Sequence, residues 1–65
     1  MYLVIQVNSA FQVVKVDKAT CLNDAVDQVC EILKKHVEIN HTVRKEIELE
    51  SGYRNKFWAV NIAEI

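Results

Sequence analysis

The sequence predicts an α+β fold: a four-stranded, mostly antiparallel sheet with one amphipathic helix packed on one face, in the order β-β-α-β-β. Three observations predict it. Leu22, Val26, Val29, Leu33 and Val37 recur at intervals of three and four, the period of a helix that buries a single stripe. Runs rich in β-branched and aromatic residues flank that stripe on both sides. Short polar breaks separate the runs, and no linker, repeat or low-complexity segment divides residues 1–65, which read as a single α+β domain.

The first strand is assigned to residues 2–7, Tyr-Leu-Val-Ile-Gln-Val, and the second to 11–16, Phe-Gln-Val-Val-Lys-Val. The polar break Asn8-Ser9-Ala10 between them reads as a three-residue hairpin loop. Thr20 is placed to cap a helix starting near Cys21, with Asp24 favouring its positive end. Asp27, Glu31, Lys34, Lys35 and Glu38 fall opposite the apolar stripe, so one face is buried and one is wet. Asn40 tolerates the left-handed conformation that ends a helix, which places the end near Ile39.

Residues 42–50, Thr-Val-Arg-Lys-Glu-Ile-Glu-Leu-Glu, contain good helix formers. Their period points elsewhere: Val43, Ile47 and Leu49 share one face of a strand while Arg44, Glu46, Glu48 and Glu50 share the other, and on a helix Leu49 leaves the stripe. A third strand is therefore expected here. Ser51-Gly52-Tyr53-Arg54-Asn55 holds the chain's single glycine and reads as a turn, followed by a fourth strand over residues 57–62.

Size and charge narrow the function classes. A chain of 65 residues buries only about 60% of the surface its unfolded form exposes, so its core is small. Eight Lys and Arg against nine Asp and Glu leave a net charge of −1, which neither recruits phosphate backbones nor draws the chain onto anionic lipid. No apolar run approaches the roughly 20 residues of a membrane span, and the start, Met1-Tyr2-Leu3-Val4-Ile5, lacks the basic region of a secretory signal. Nucleic acid and membrane partners are thus not expected, and a cytoplasmic location is. Cys21 and Cys30, if both on the helix, stand roughly 13 Å apart along its axis, beyond the reach of a disulfide. They are expected to be reduced thiols.

No nucleotide loop, metal box or catalytic constellation is present. Cys21 near a helix start resembles an activated thiol, but His36 lies roughly 22 Å along the same helix and cannot serve as its base. Cys30 is read as core, and His36 and His41 lack the paired ligand spacing of a zinc site. The acidic strips Asp24-Asp27-Glu31 and Glu46-Glu48-Glu50 read as solvated faces. The catalytic and metal sets are therefore empty, no cofactor is implied, and the chain is not read as an enzyme.

One helix covers one side of a four-stranded sheet, and the other side should then be polar. It is not. If Leu3, Ile5 and Val7 face the helix, Tyr2 and Val4 point outward; if Trp58, Val60 and Ile62 face it, Phe57, Ala59 and Ala63 do. In the second strand either choice leaves valines behind. We therefore expect a contiguous patch of Tyr2, Val4, Phe11, Val13 and Phe57 for self-association, with a dimer favoured, or for a protein partner. Tyr53 and Arg54, with Asn55 and Lys56, add a hairpin tip suited to phosphate or to an acidic protein surface.

The segment Thr20-Cys-Leu-Asn-Asp-Ala-Val-Asp-Gln-Val-Cys-Glu-Ile-Leu, entered from a hairpin, resembles the strand-to-helix passage of HicB-type antitoxins, without that family's Gly- and Pro-containing strand linker. The stretch from Asp24-Ala25-Val26 through Ser51-Gly52 to the end is similar to dodecin, a small flavin-storing oligomer, without a tryptophan in the third strand to stack on flavin. Neither resemblance assigns a role to a residue. The expected function is a small, self-associating protein-interaction module, an accessory regulator or inhibitor. The alternatives are an oligomer binding a flavin-like aromatic ligand and an antitoxin-like regulator.

Overall fold

A computed structural model describes all residues from Met1 to Ile65. In chain order its elements are β1 (Tyr2–Val7), β2 (Val13–Ala19), α1 (Leu22–Leu33), α2 (His41–Glu50), β3 (Gly52–Arg54) and β4 (Ala59–Glu64). The four strands form one sheet in the order β2-β1-β4-β3, with every neighbouring pair antiparallel. The α+β class and the antiparallel sheet hold. The single helix does not, because the segment expected to be the third strand is a second helix.

The β1–β2 hairpin is organised by Asn8. Its side-chain oxygen accepts from the backbone N–H of Ala10 at 2.9 Å and of Gln12 at 3.1 Å, and its carbonyl accepts from Phe11 N–H. Phe11 is left with a φ of 60°, which a strand cannot contain, so β2 begins at Val13 rather than at Phe11. The register then slips between Gln6 and Val7, since Gln6 opposes Lys15 while Val7 opposes Val13. Val14 is the extra residue of a bulge.

Cys21, not Thr20, caps α1. Its sulfur accepts from Asp24 N–H at 3.5 Å while the Asp24 carboxylate accepts from Thr20 N–H at 3.1 Å, so one first-turn donor and the amide just before the cap are both satisfied. The helix ends at Leu33, six residues short of the expected end, where the N–H groups of His36 and Val37 both turn back onto the Leu33 carbonyl. Two β-branched residues, Val37 and Ile39, follow in a stretch less suited to helix than the preceding turns.

Asn40 does not end a helix; it starts one. Its φ is −121° and its side-chain oxygen accepts from Val43 N–H at 2.9 Å. Val43 and Ile47, which also share a face at a spacing of four, turn inward, and Ile47 is fully buried. Leu49 leaves the stripe and is 76% exposed. The chain accepts that one exposed leucine, since Arg, Lys and Glu favour a helix and a cap is available. Ser51 closes α2 in the left-handed conformation, and Gly52, with a φ of 136°, turns the chain into β3.

The pairing decides which side of each strand is buried. Val4 opposes Ile62 on one flank and Asp17 on the other, and direct partners share a face. Val4, Ala19, Val60 and Ile62 therefore pack beneath Ala25, Val26, Val29 and Leu33 of α1 and Ile47 of α2. Both helices lie on this side. Leu3, Ile5, Val7, Val16, Ala59 and Ala63 point the other way. No helix is long and apolar enough to cross a membrane.

Candidate functional site: the uncovered sheet face

The helix-free face has β1 at its centre. Leu3, Ile5 and Val7 run down the middle, flanked by Val13 and Val16 from β2 and by Ala59 and Ala63 from β4. The same alternation carries the face onto Met1, which is 59% exposed, and onto Ile65, whose N–H donates to the Met1 carbonyl. The polar members on it are Lys18, Asn61 and Arg54, none of them acidic. All nine Asp and Glu residues belong to the helices, to the segment joining them, or to the helix-facing side of the strands. The molecule thus has an acidic helical layer on one side and an apolar face with cationic edges on the other.

The strand-end loops meet beyond Val7 and Ala59. Phe11 and Phe57 are 91% and 70% exposed, and both line a shallow recess with Val7, Asn8, Arg54 and Ala59. The turn that holds Phe57 is set by Asn55, whose side-chain oxygen accepts from the N–H groups of Phe57 and Trp58 at 2.8 and 2.9 Å. Phe11 owes its position to the left-handed backbone described above, an unfavourable place for an aromatic residue.

Of the expected patch, the structure brings Phe11, Val13, Phe57 and Arg54 to this face or its end. It removes three members. Val4 is fully buried in the core, and Tyr2, on the same side of β1, is half-buried against it. The outward placement of Tyr2 and Val4 is therefore corrected: β4 buries Val60 and Ile62, and the β1–β4 register then forces Val4 inward with them. Tyr53 also lies on the helical side, its ring 5.7 Å from that of Trp58. Leu3, Ile5, Val7 and Val16 take the vacated places. Their alternation was visible in the sequence, but the register that assigns its side was not.

Backbone groups add a second feature. In an antiparallel ladder successive residues direct their N–H and C=O to alternate sides. The Ile65-to-Met1 bond gives the odd positions of β1 to β4, and the Asn8-to-Gln12 bond gives the even positions to β2. On β2, Lys15, Asp17 and Ala19 therefore bond to β1, whereas Val16 and Lys18 direct their backbone groups off the edge of the sheet.

On the helical side, His36 and Trp58 rings stand 5.4 Å apart at the mouth of an opening of about 250 Å³, which Gln6, Val14, Ile32 and Val60 also line. Arg44 ties the helices together: its guanidinium contacts the Asp27 carboxylate at 2.6 Å and donates to Cys30 Sγ at 3.8 Å. The bond to Asp27 holds the Arg44 pKa above its ordinary value. At the far corner, the nearby Glu64 carboxylate favours the Tyr2 phenol over its anion, raising the Tyr2 pKa above its ordinary value. Both cysteines are free thiols, and no three His, Cys, Asp or Glu side chains gather as a metal would require. No known protein family, curated protein or solved structure matches this chain.

Proposed function

We propose that the chain is a non-enzymatic protein-interaction module that self-associates and acts by occupying the surface of another protein. One observation carries this reading: the face formed by Leu3, Ile5, Val7 and Val16 is apolar and no element of the chain covers it. A four-stranded sheet exposed on one side ordinarily alternates apolar-in with polar-out. Here both sides are apolar, and a partner protein seated on the outer one gives this small core its second buried face. Lys18 and Arg54 on that face, with no carboxylate among them, select a partner whose apolar centre is bordered by acidic groups.

The test uses three purified forms: wild type, Ile5→Lys on the uncovered face, and Glu48→Lys on the exposed side of α2. Far-UV circular dichroism verifies that each is folded. A protein retained by wild type is identified by mass spectrometry, purified and titrated against all three. Saturable binding that Glu48→Lys keeps and Ile5→Lys loses is expected. Equal binding by Ile5→Lys overturns the proposal.

A second reading, binding of a planar aromatic ligand, is favoured by the opening beside His36 and Trp58. Its volume is below the range of about 300–1,000 Å³ usual for ligand pockets, which ranks it second. Quenching of Trp58 fluorescence by flavin mononucleotide at micromolar concentration would promote it.

A further inference from the structure

We infer that the self-association just proposed, on which this inference rests, is edge pairing: two copies join β2 to β2 in an antiparallel register centred on Val16. The result is one continuous sheet twice as wide, with both helical layers on one side and both apolar faces on the other.

Three features of β2 lead there. It is an edge strand of seven residues, against three in β3 at the opposite edge. Its bulge lies at its beginning, so Lys15 to Ala19 runs in regular pairing with β1 and presents a straight outer edge. The backbone groups of Val16 already point off that edge, where the same residue of a second copy would take them.

Charge then selects the register. A two-fold axis between antiparallel strands must place a residue opposite its own copy, since partners across the ladder share a face. Within Lys15 to Ala19, centring on Lys15, Asp17 or Lys18 sets identical charges against each other on the axis, and centring on Ala19 carries the overlap past the end of the strand into the α1 cap. Like charges directly opposite destabilise a strand pair. Centring on Val16 sets valine against valine and places Lys15 opposite Asp17 of the other copy, twice by symmetry. Those pairs fall at the non-hydrogen-bonded positions, where side chains approach most closely. Within one chain Lys15 Nζ is 3.8 Å from Asp17 Oδ2, and the two side chains are 64% and 40% exposed, so both are free to take the new partner. The usual guard of an edge, an uncompensated lysine, is here matched by its own complement.

The experiment is sedimentation equilibrium on wild type, Lys15→Asp, Asp17→Lys, an equimolar mixture of these two variants, Val16→Pro and Ile5→Lys. Each single charge change turns both symmetric pairs from attraction to repulsion and is expected to weaken dimerisation by about tenfold or more. In the mixture every altered charge faces its opposite, so a heterodimer of near wild-type affinity forms. A merely misfolded variant would not be rescued by another. Val16→Pro removes an N–H directed off the edge and not used within the chain, and it abolishes the dimer while circular dichroism stays native. Ile5→Lys leaves the dimer intact.

Dimerisation unaffected by the charge changes, a mixture no tighter than its components, or a wild type monomeric at millimolar concentration would each overturn edge pairing. If Ile5→Lys alone dissolves the dimer, copies meet face to face. Edge pairing is then wrong while the interaction reading stands.

Discussion

Replacing Asn40 with alanine tests the element on which sequence and structure part most sharply. The Asn40 side chain accepts from Val43 N–H at 2.9 Å, and the Asn40 carbonyl accepts from Arg44 N–H at 3.0 Å. Only the first bond is lost in Asn40→Ala, and the orphaned amide is exposed enough to find water, so the cost is that of an ordinary N-cap, about 1 kcal/mol. A 65-residue domain holds roughly 3–10 kcal/mol in total, so the loss is a visible fraction of it. With a urea m-value near the low end, about 1 kcal/mol/M, the midpoint falls by about 1 M. Asn40→Asp keeps the acceptor and stays near wild type, and Asn40→Gly loses only a few tenths of a kcal/mol. Urea titrations followed by circular dichroism at the helix band read all three. If alanine is within a few tenths of wild type, or glycine costs as much as alanine, Asn40 is not a cap and α2 does not start where the structure puts it.

Three further outcomes follow from the same geometry. Gly52→Ala is expected to cost about 3 kcal/mol in a thermal or urea melt: a φ of 136° is open essentially to glycine alone, and the added Cβ overlaps the Val60 carbonyl oxygen and stands 3.0 Å from Asn61 Cα. A loss under about 1 kcal/mol would contradict that backbone contact. Because Glu64 raises the Tyr2 pKa, the folded chain holds that proton more tightly than the unfolded one; the contribution is full below about pH 10 and disappears as pH climbs through the folded value. Wild type should therefore lose stability above pH 10 more steeply than Tyr2→Phe, and matching slopes would refute the contact. A double-mutant cycle on Arg44 and Asp27, whose side chains are 37% and 63% exposed, should give a coupling of about 0.5 kcal/mol that shrinks in 1 M salt, because solvent screens the pair; a salt-independent coupling above about 2 kcal/mol would speak against this.

What was legible in the sequence is what short-range patterns encode. The first hairpin, a helix on the Leu22–Val37 stripe and a final strand follow from local period and all three are present, although the helix stops at Leu33 and the last strand runs from Ala59 to Glu64. Residues 42–50 are ambiguous in the sequence because Val43 and Ile47 satisfy both periods at once, leaving Leu49 to arbitrate. Leu49 pointed to a strand, whereas the Asn40 cap and the charged helix formers outweighed it. The binding face was half legible for a different reason. That both sides of β1 are apolar is plain from Leu3, Val4, Ile5 and Val7, but which side meets the helices is fixed by the pairing of Val4 with Ile62, a contact between opposite ends of the chain. No local pattern carries that information. The edge register needed one thing more, the direction of the β2 backbone groups, which a sequence does not express.

The central pairing of β1 with β4 also has a consequence in time. The strand at the heart of the sheet is made first, and the partner that buries Val4 is made last. During synthesis at about 5–20 residues per second, the β1–β2 hairpin waits for seconds before Val60 and Ile62 arrive to close the core. A hairpin alone is marginal in water. Folding of this small domain is therefore a single late event, with no stable half to fall back on, and it is in that interval that an apolar first strand is most open to the wrong neighbour.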